Sequence, residues 1–282
     1  MIRLLAIGAP QMPWREIAPR LRGATLDSDS RRADEITATA ACDAVLILPD
    51  SSVSTEGIER LIQHGKHVLA SVEAIPFNAS PSTLLETSHA AKQCLGIVNP
   101  DRYLPSRQLI RQQLDAGKLG EPGLVRIHRW DGMDPVAALL CDLDLVHWYF
   151  GKPPNRVFAV RQTDAQCQLI HLGFPDGGMA LIDHVRTVPG RNRYYYLSVI
   201  GSSGAAHADD HQNMQLLFRQ DVPRAVRTDE GVAAVAAMIQ EFVDAIHAGR
   251  DMAATSADWK AVLAARDAVD RSMTTGQAMA MS

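Results

Sequence analysis

Cysteine is scarce and scattered in this 282-residue chain: Cys42, Cys94, Cys141 and Cys167 stand alone, with no Cys-x-x-Cys pair. Such spacing fits reduced thiols better than a disulfide frame or a zinc site, so no metal is expected. An excess of one charge is also missing. The chain has 28 Lys and Arg against 32 Asp and Glu, a formal net charge of -4. Without a polybasic surface, neither nucleic acid nor an anionic membrane is an expected partner. No apolar run reaches the roughly 18 residues a membrane span needs. The opening MIRLLAIGAP lacks a basic segment, a long apolar core and a cleavage site in signal-peptide order, so a cytoplasmic location is expected. Gly-x-Ser-x-Gly, HExxH and Walker A patterns are absent, as are internal repeats and low-complexity segments, so none of the enzyme classes those motifs mark is indicated. What is present is ample core: 46% of residues are hydrophobic, in a chain long enough for two ordinary domains. Small molecules are the expected partners.

The stretch from Cys42 to Glu73 reads CDAVLILPDSSVSTEGIERLIQHGKHVLASVE. Ala44-Val45-Leu46-Ile47-Leu48 is apolar without alternation, as in a strand covered on both faces of a parallel sheet. Pro49-Asp50-Ser51-Ser52 breaks the run. Ile58, Leu61 and Ile62 then recur at helical spacing, Gly65 stops the helix, and His67-Val68-Leu69-Ala70 starts another strand. Ligands of such βαβ sheets sit at the carboxyl ends of the strands, here Pro49-Asp50-Ser51 and Ser71-Val72-Glu73.

Upstream, the apolar run Ile2 to Ile7 ends at Gly8, and Trp14 to Leu21 has a helical pattern. A dinucleotide-binding turn at this place would read GxGxxG. The chain reads Gly8-Ala9-Pro10-Gln11-Met12-Pro13, in which only the first glycine is kept and proline offers no N–H to a phosphate. A short second strand, Ala24 to Leu26, would leave Asp27 and Asp29 at its end, with Asp27 placed to meet a ribose hydroxyl. A polar loop is the alternative. Downstream, Ser80 to Gly96 reads as a helix, Leu95 to Val98 as a strand, and Ser106 to Ala116 as a helix closed by the segment Gly117 to Pro122. Beyond Gly120 the pattern changes. Strands are expected at Leu124 to Trp130, Arg156 to Arg161, Gln168 to Leu172, Met179 to Val185 and Tyr194 to Val199, with one more at Met214 to Phe218. A single helix, Pro135 to Phe150, interrupts them, and Glu230 to Met279 is two helices. Alternating β and α followed by runs of strands implies an α/β Rossmann-type domain over 1–120, then an α+β domain with an open, mostly antiparallel sheet over 121–282.

The order of an Asp, an apolar strand, a Pro-Asp turn, a helix and GKHVL resembles the Gfo/Idh/MocA family of NAD(P)-dependent sugar and polyol oxidoreductases. So do Arg102-Tyr103-Leu104-Pro105, the Gly117-Lys118-Leu119-Gly120 turn and the Ser256-Ala257-Asp258 start of an Ala-rich last helix. The resemblance covers nearly the whole chain and implies closing helices that pack back on the first domain. In that family GKHVL runs into Glu-Lys-Pro, whose Lys lies beside the nicotinamide. Here Ser71-Val72-Glu73 occupies those positions, and the next Lys is Lys92. The family's Asp-x-x-x-His-x-x-Asp falls on the helix Pro135 to Phe150. Counting back from Gly151, Asp144 takes the second Asp, Cys141 the His and Ala137 the first Asp.

The resemblance therefore implies NAD or NADP as cofactor, with Gly8, Asp27, Pro49, Asp50, Val72 and Arg102 at its site. Asp144, His147 and Cys141 are the candidate catalytic residues. Asp144 with the neighbouring His147 forms a possible general base, though polar residues on core helices also serve simply to satisfy hydrogen bonds. Loss of an acid–base group costs about 10²–10⁴-fold. Two readings follow: an oxidoreductase of sugar-like or polyol hydroxyls and carbonyls with a rebuilt site, or a non-catalytic relative that binds a ligand or a partner subunit. RVFAVR, QLIHLGF and MALIDHV have apolar residues in both alternation phases, so the sheet's free face is expected to pair in a homodimer or higher homo-oligomer.

Overall fold

A computed structural model describes residues 1–8, 12–29, 41–48, 51, 53–75, 81–162, 166–186, 194–209, 214–219, 222–227, 231–252 and 256–281. The chain divides into two compact units, Met1–Tyr103 with Glu230–Lys260, and Leu104–Asp229 with Ala261–Ser282.

The first unit is built on five parallel strands, β1 (Ile2–Ile7), β2 (Ala24–Asp29), β3 (Ala44–Ile47), β4 (His67–Ser71) and β5 (Leu95–Val98), in the order β2-β1-β3-β4-β5. Every residue of β3 and β5 is buried, as their unbroken apolar runs require. Helix α1 (Trp14–Ile17) is a single turn that passes into a 3-10 turn at Ala18–Arg20. Helix α2 (Thr55–Gln63) is capped by Ser54, whose side chain accepts from the Gly57 N–H at 3.0 Å, and it buries Ile58, Leu61 and Ile62. Helix α3 (Pro81–Ala91) is shorter than the sequence pattern suggests, because Lys92 turns into the left-handed region at φ 55° and the chain starts β5 three residues later. Strand β2 is longer than expected and reaches Asp29. Met238, Ile239, Phe242 and Val243 of helix α6 (Val232–Ala248) join Ile2, Leu4, Leu46 and Leu69 in this unit's core.

The second unit starts with helix α4 (Pro105–Asp115), strand β6 (Pro122–Trp130) and helix α5 (Pro135–Phe150). Strands β7 (Arg156–Arg161), β8 (Cys167–Gly173), β9 (Met179–Val185), β10 (Tyr194–Gly201), β11 (Gly204–Asp209), β12 (Met214–Arg219) and β13 (Val222–Arg227) follow. Helix α7 (Ser256–Thr275) precedes a last short strand, β14 (Met279–Ala280). The sheet runs β13-β12-β11-β10-β6-β9-β8-β7-β14, antiparallel except for the β6–β9 pair. The fold is thus a parallel-sheet α/β unit joined in sequence to a mixed, mostly antiparallel sheet unit. Strands β11, β13 and β14 have no counterpart in the sequence reading. GAAHAD is made of small and polar residues and VPRAVR contains a proline, so neither looks like a strand until its neighbours pair with it.

Candidate active site

In the first unit the strand order reverses between β1 and β3, and the crevice beyond their carboxyl ends is where open α/β sheets take ligands. Gly8 turns away from β1 at φ 78°, and a Cβ there would lie 2.6 Å from the Ser51 Cβ and 2.9 Å from its backbone nitrogen. Ser51 is buried, with its hydroxyl donating to the Leu48 carbonyl at 2.5 Å. The fold thus brings Gly8 and Ser51 together; Pro49, Asp50 and Pro10 lie outside the described residues. Asp27 is exposed and pairs in register with Leu5, two residues short of the end of β2. The end position, level with Ile7, is held by Asp29.

Val72 directly follows β4, buried, in the 3-10 turn Val72–Ala74. Arg102 is buried in the 3-10 turn Pro100–Tyr103, where its N–H donates to the Asn99 carbonyl at 3.1 Å. Tyr103 ties this turn to α6 through its hydroxyl, which donates to Glu241 Oε2 at 2.7 Å.

A dinucleotide fits this crevice in part. The Gly8 turn and an exposed acid on β2 suit its ribose side. The pyrophosphate side suits it less well, because that group normally binds to N–H groups at the start of a long helix. Helix α1 is one turn long, the Trp14 N–H already donates to Met12, and the Glu16 and Ile17 N–H groups donate to Pro13.

In the second unit, α5 carries Cys141, Asp144 and His147, all buried. Asp134 caps the helix, accepting from the Val136 and Ala137 N–H groups at 3.0 and 3.1 Å. Gly151 ends it at φ 66°, donating its N–H to the His147 carbonyl at 2.8 Å. Cys141, Asp144 and Trp148 share one side of this helix by their three- and four-residue spacings. Ala137, also buried, precedes Cys141 by one turn on that side.

The opposite side of α5 holds a polar cluster that the sequence reading did not single out. Asp142, two residues and so about 200° around the helix from Asp144, is fully buried. Arg129 grips it with two hydrogen bonds, Nε to Oδ2 at 2.9 Å and Nη2 to Oδ1 at 2.8 Å. His184 Nε2 reaches Oδ2 at 2.7 Å, and the Tyr195 hydroxyl donates to Oδ1 at 3.0 Å. Gln168 Nε2 lies 2.6 Å from His184 Nδ1, so with Gln168 donating there the imidazole proton sits on Nε2 and faces Asp142. The Tyr195 ring lies between the guanidinium groups of Arg107 and Arg129, 4.5 and 4.6 Å from its centroid. Burial pushes the Asp142 carboxyl up, but the Arg129 charge and the hydrogen bonds from His184 and Arg129 outweigh it and hold the group well below the usual carboxylate range. Polar residues recurring in the inward phase of β6, β8 and β9 were the available signal. Among the described residues no three His, Cys, Asp or Glu side chains gather as metal ligands, and no helix is long and apolar enough to cross a membrane.

Fold and crevice together define a two-unit protein, a parallel-sheet α/β unit with a switch-point crevice and an open-sheet unit. No family model matches the chain. Inositol 2-dehydrogenase of Rhizobium meliloti (strain 1021) is 25% identical over 278 residues, covering 86% of this chain and 82% of that protein. An oxidoreductase from Agrobacterium radiobacter, solved with NAD+, L-tartaric acid and magnesium, superposes with a TM-score of 0.80 over 99% of this chain and 98% of its own, at 15% identity. Myo-inositol 2-dehydrogenase from Lactobacillus plantarum gives 0.78 over 100% and 99%, at 18% identity. Aldose-aldose oxidoreductase from Caulobacter crescentus, complexed with glycerol, gives 0.81 over 99% of both chains, at 16% identity. The chain therefore has the fold of the Gfo/Idh/MocA oxidoreductases, and its sequence resembles one of them over most of its length.

Proposed function

We propose that the chain is an NAD(P)-type oxidoreductase of a sugar-like or polyol hydroxyl or carbonyl, working slowly with a rebuilt acid–base site. The observation that supports this best is the likeness to inositol 2-dehydrogenase, which extends over 86% of the chain and so takes in both sheets. In this reading Gly8, Asp27, Pro49, Asp50, Val72 and Arg102 border the dinucleotide. Bound nicotinamide supplies the hydride donor or acceptor. The chain's own part is to hold the proton of the reacting hydroxyl: Asp144 is the carboxylate that accepts it, with His147 one turn further along α5 as its relay. Cys141 contributes a thiol beside them.

A second reading has specific support. Val72 cannot transfer a proton, Ala137 and Cys141 stand where the family has Asp and His, and the Trp14, Glu16 and Ile17 N–H groups of α1 are already engaged. These features favour a non-catalytic relative that keeps the fold to bind a sugar-like ligand or a partner subunit. Calorimetry with NADH and NADPH, joined to an activity screen over sugars, inositols and their acids, separates the two. Turnover of any of these with either dinucleotide supports the oxidoreductase, whereas ligand binding without dinucleotide binding or turnover supports the non-catalytic relative.

A further inference from the structure

The inward face of the nine-stranded sheet changes character abruptly from one cross-strand row to the next. Ala159, Ile170, Ile182, Ile127 and Leu197 are successive partners on β7, β8, β9, β6 and β10, all apolar and all fully buried. Two residues along, the same five strands place Arg161, Gln168, His184, Arg129 and Tyr195 in one row. A sheet face packed under an apolar helix gains nothing from such a row unless every member has a partner. Asp142 serves Arg129, His184 and Tyr195 from above. It does not account for the other end of the row.

That end opens on a cavity of about 240 Å³ contained within the second unit. Arg161, Gln168, His184 and Arg129 line it, joined by Arg186, Gln166 and Asp131, while Met133, Pro135, Val136, Ala138 and Val185 supply apolar wall. Three guanidinium groups thus face one carboxylate. The Arg129 charge is matched by Asp142 and Asp131. Arg161 and Arg186 are exposed, and neither makes an ion pair among the described residues. Guanidinium forks at the mouth, side-chain amides inside and a short apolar wall are the recognition chemistry of a small oxyanion that carries hydroxyl groups. The volume falls below the roughly 300 Å³ at which pockets for drug-sized ligands begin, which limits the occupant to about monosaccharide size.

We propose that this cavity binds a small polyhydroxylated oxyanion, a sugar acid or sugar phosphate, with its anionic group on Arg161 and Arg186 and its hydroxyls on Gln166, Gln168 and Asp131. The site needs no dinucleotide and uses none of the residues assigned to hydride chemistry, so it stands or falls apart from the proposed activity.

The test is calorimetry on the full chain without dinucleotide, using gluconate, glucose 6-phosphate, inorganic phosphate and neutral glucose as probes. Gluconate or glucose 6-phosphate is expected to bind at millimolar concentration or below, more weakly as salt rises, and the tighter of the two identifies the source of the oxyanion. Arg161→Gln with Arg186→Gln, both at exposed positions, is expected to weaken that binding by about tenfold or more, the worth of one or two charge-assisted hydrogen bonds. Val136→Phe fills the cavity without altering charge and is expected to abolish binding, with unchanged thermal melting as the folding control. The proposal is overturned if glucose or inorganic phosphate binds as tightly as the organic anions, if both variants bind like the parent chain, or if neither organic anion binds.

Discussion

Asp142 is a buried carboxylate on which the interior of the second unit depends, because three polar groups on three different strands converge on it. Replacing one partner of a buried ion pair strands the other, at a cost of about 3–5 kcal/mol. Asp142→Ala is therefore expected to lower the unfolding free energy from urea titration by that amount, with Arg129 left as the uncompensated charge. The pH dependence has a definite sign. The folded chain holds this carboxyl well below its ordinary value, whereas the unfolded chain titrates near 3.9. Its stabilisation is thus complete above about pH 5 and lost as pH falls through the carboxylate range. Urea unfolding at pH 7 and at about pH 3.5 checks this: Asp142→Asn should flatten the acid limb, and an unchanged acid limb would remove Asp142 as its source. Val72 stands where the resembled family has its proton-carrying Lys. Val72→Lys restores a proton carrier after β4 and is expected to raise any sugar or inositol turnover by about 10²-fold. No gain in a variant that folds and binds dinucleotide would count against a family-like geometry at this place.

At the scale of elements, the β1–α1 turn limits the first unit. Gly8 needs both its positive φ and its missing side chain, since an added Cβ meets Ser51 at 2.6 Å. Gly8→Ala combines a left-handed penalty of about 1–2 kcal/mol with a clash against backbone, so a lowered denaturant midpoint is expected. Wild-type stability in Gly8→Ala would show that the turn can relax. Much of this unit was legible because its strands are short apolar runs punctuated by glycine and proline, and α2 carries its own cap in Ser54. Helix α5 was legible for the same reason: Asp134, Pro135 and Gly151 mark both ends, and Pro135 to Phe150 is its span. The row Arg161–Gln168–His184–Arg129–Tyr195 was not legible. Its members are separated by up to 66 positions in sequence and meet only through strand register, which no local pattern encodes. Strands β11 and β13 carry no local signal, because pairing with neighbours, rather than their own β propensity, makes them strands. The apolar run stops at Leu26 and so puts Asp27 at the strand end on sequence alone, while the ladder with β1 carries on to Asp29.

For the molecule as a whole, the unresolved force is the outward face of the large sheet. Alternation places Trp130, Phe158, Val160, Leu169, Met179 and Ile200 on that face, each 38% to 47% exposed. Register joins them into a surface rather than scattering them: Val160 sits beside Leu169, and Met179 and Ile200 both flank Leu124. The row that contains Val160 and Leu169 continues through Asp183, His128, Tyr196 and Asp209. His128 pairs with Asp183, and Tyr196 pairs with His207 of the neighbouring row, so these groups satisfy one another, while Arg126 and His171 lie exposed between the apolar rows. Single exposed apolar residues are ordinary, but monomeric proteins seldom show a contiguous apolar patch beyond roughly a few hundred Å². A second copy is the occupant we propose, since a two-fold pairing of identical faces requires only that the patch be complementary to itself. Sedimentation equilibrium at micromolar concentration is expected to show a dimer or larger assembly. Val160→Lys with Leu169→Lys, both on the outward face, should shift it to smaller species while far-ultraviolet dichroism stays unchanged, because neither side chain enters the core. A parent chain that sediments as a monomer, or a double variant that assembles as tightly as the parent, would sink the proposal and leave this face to solvent.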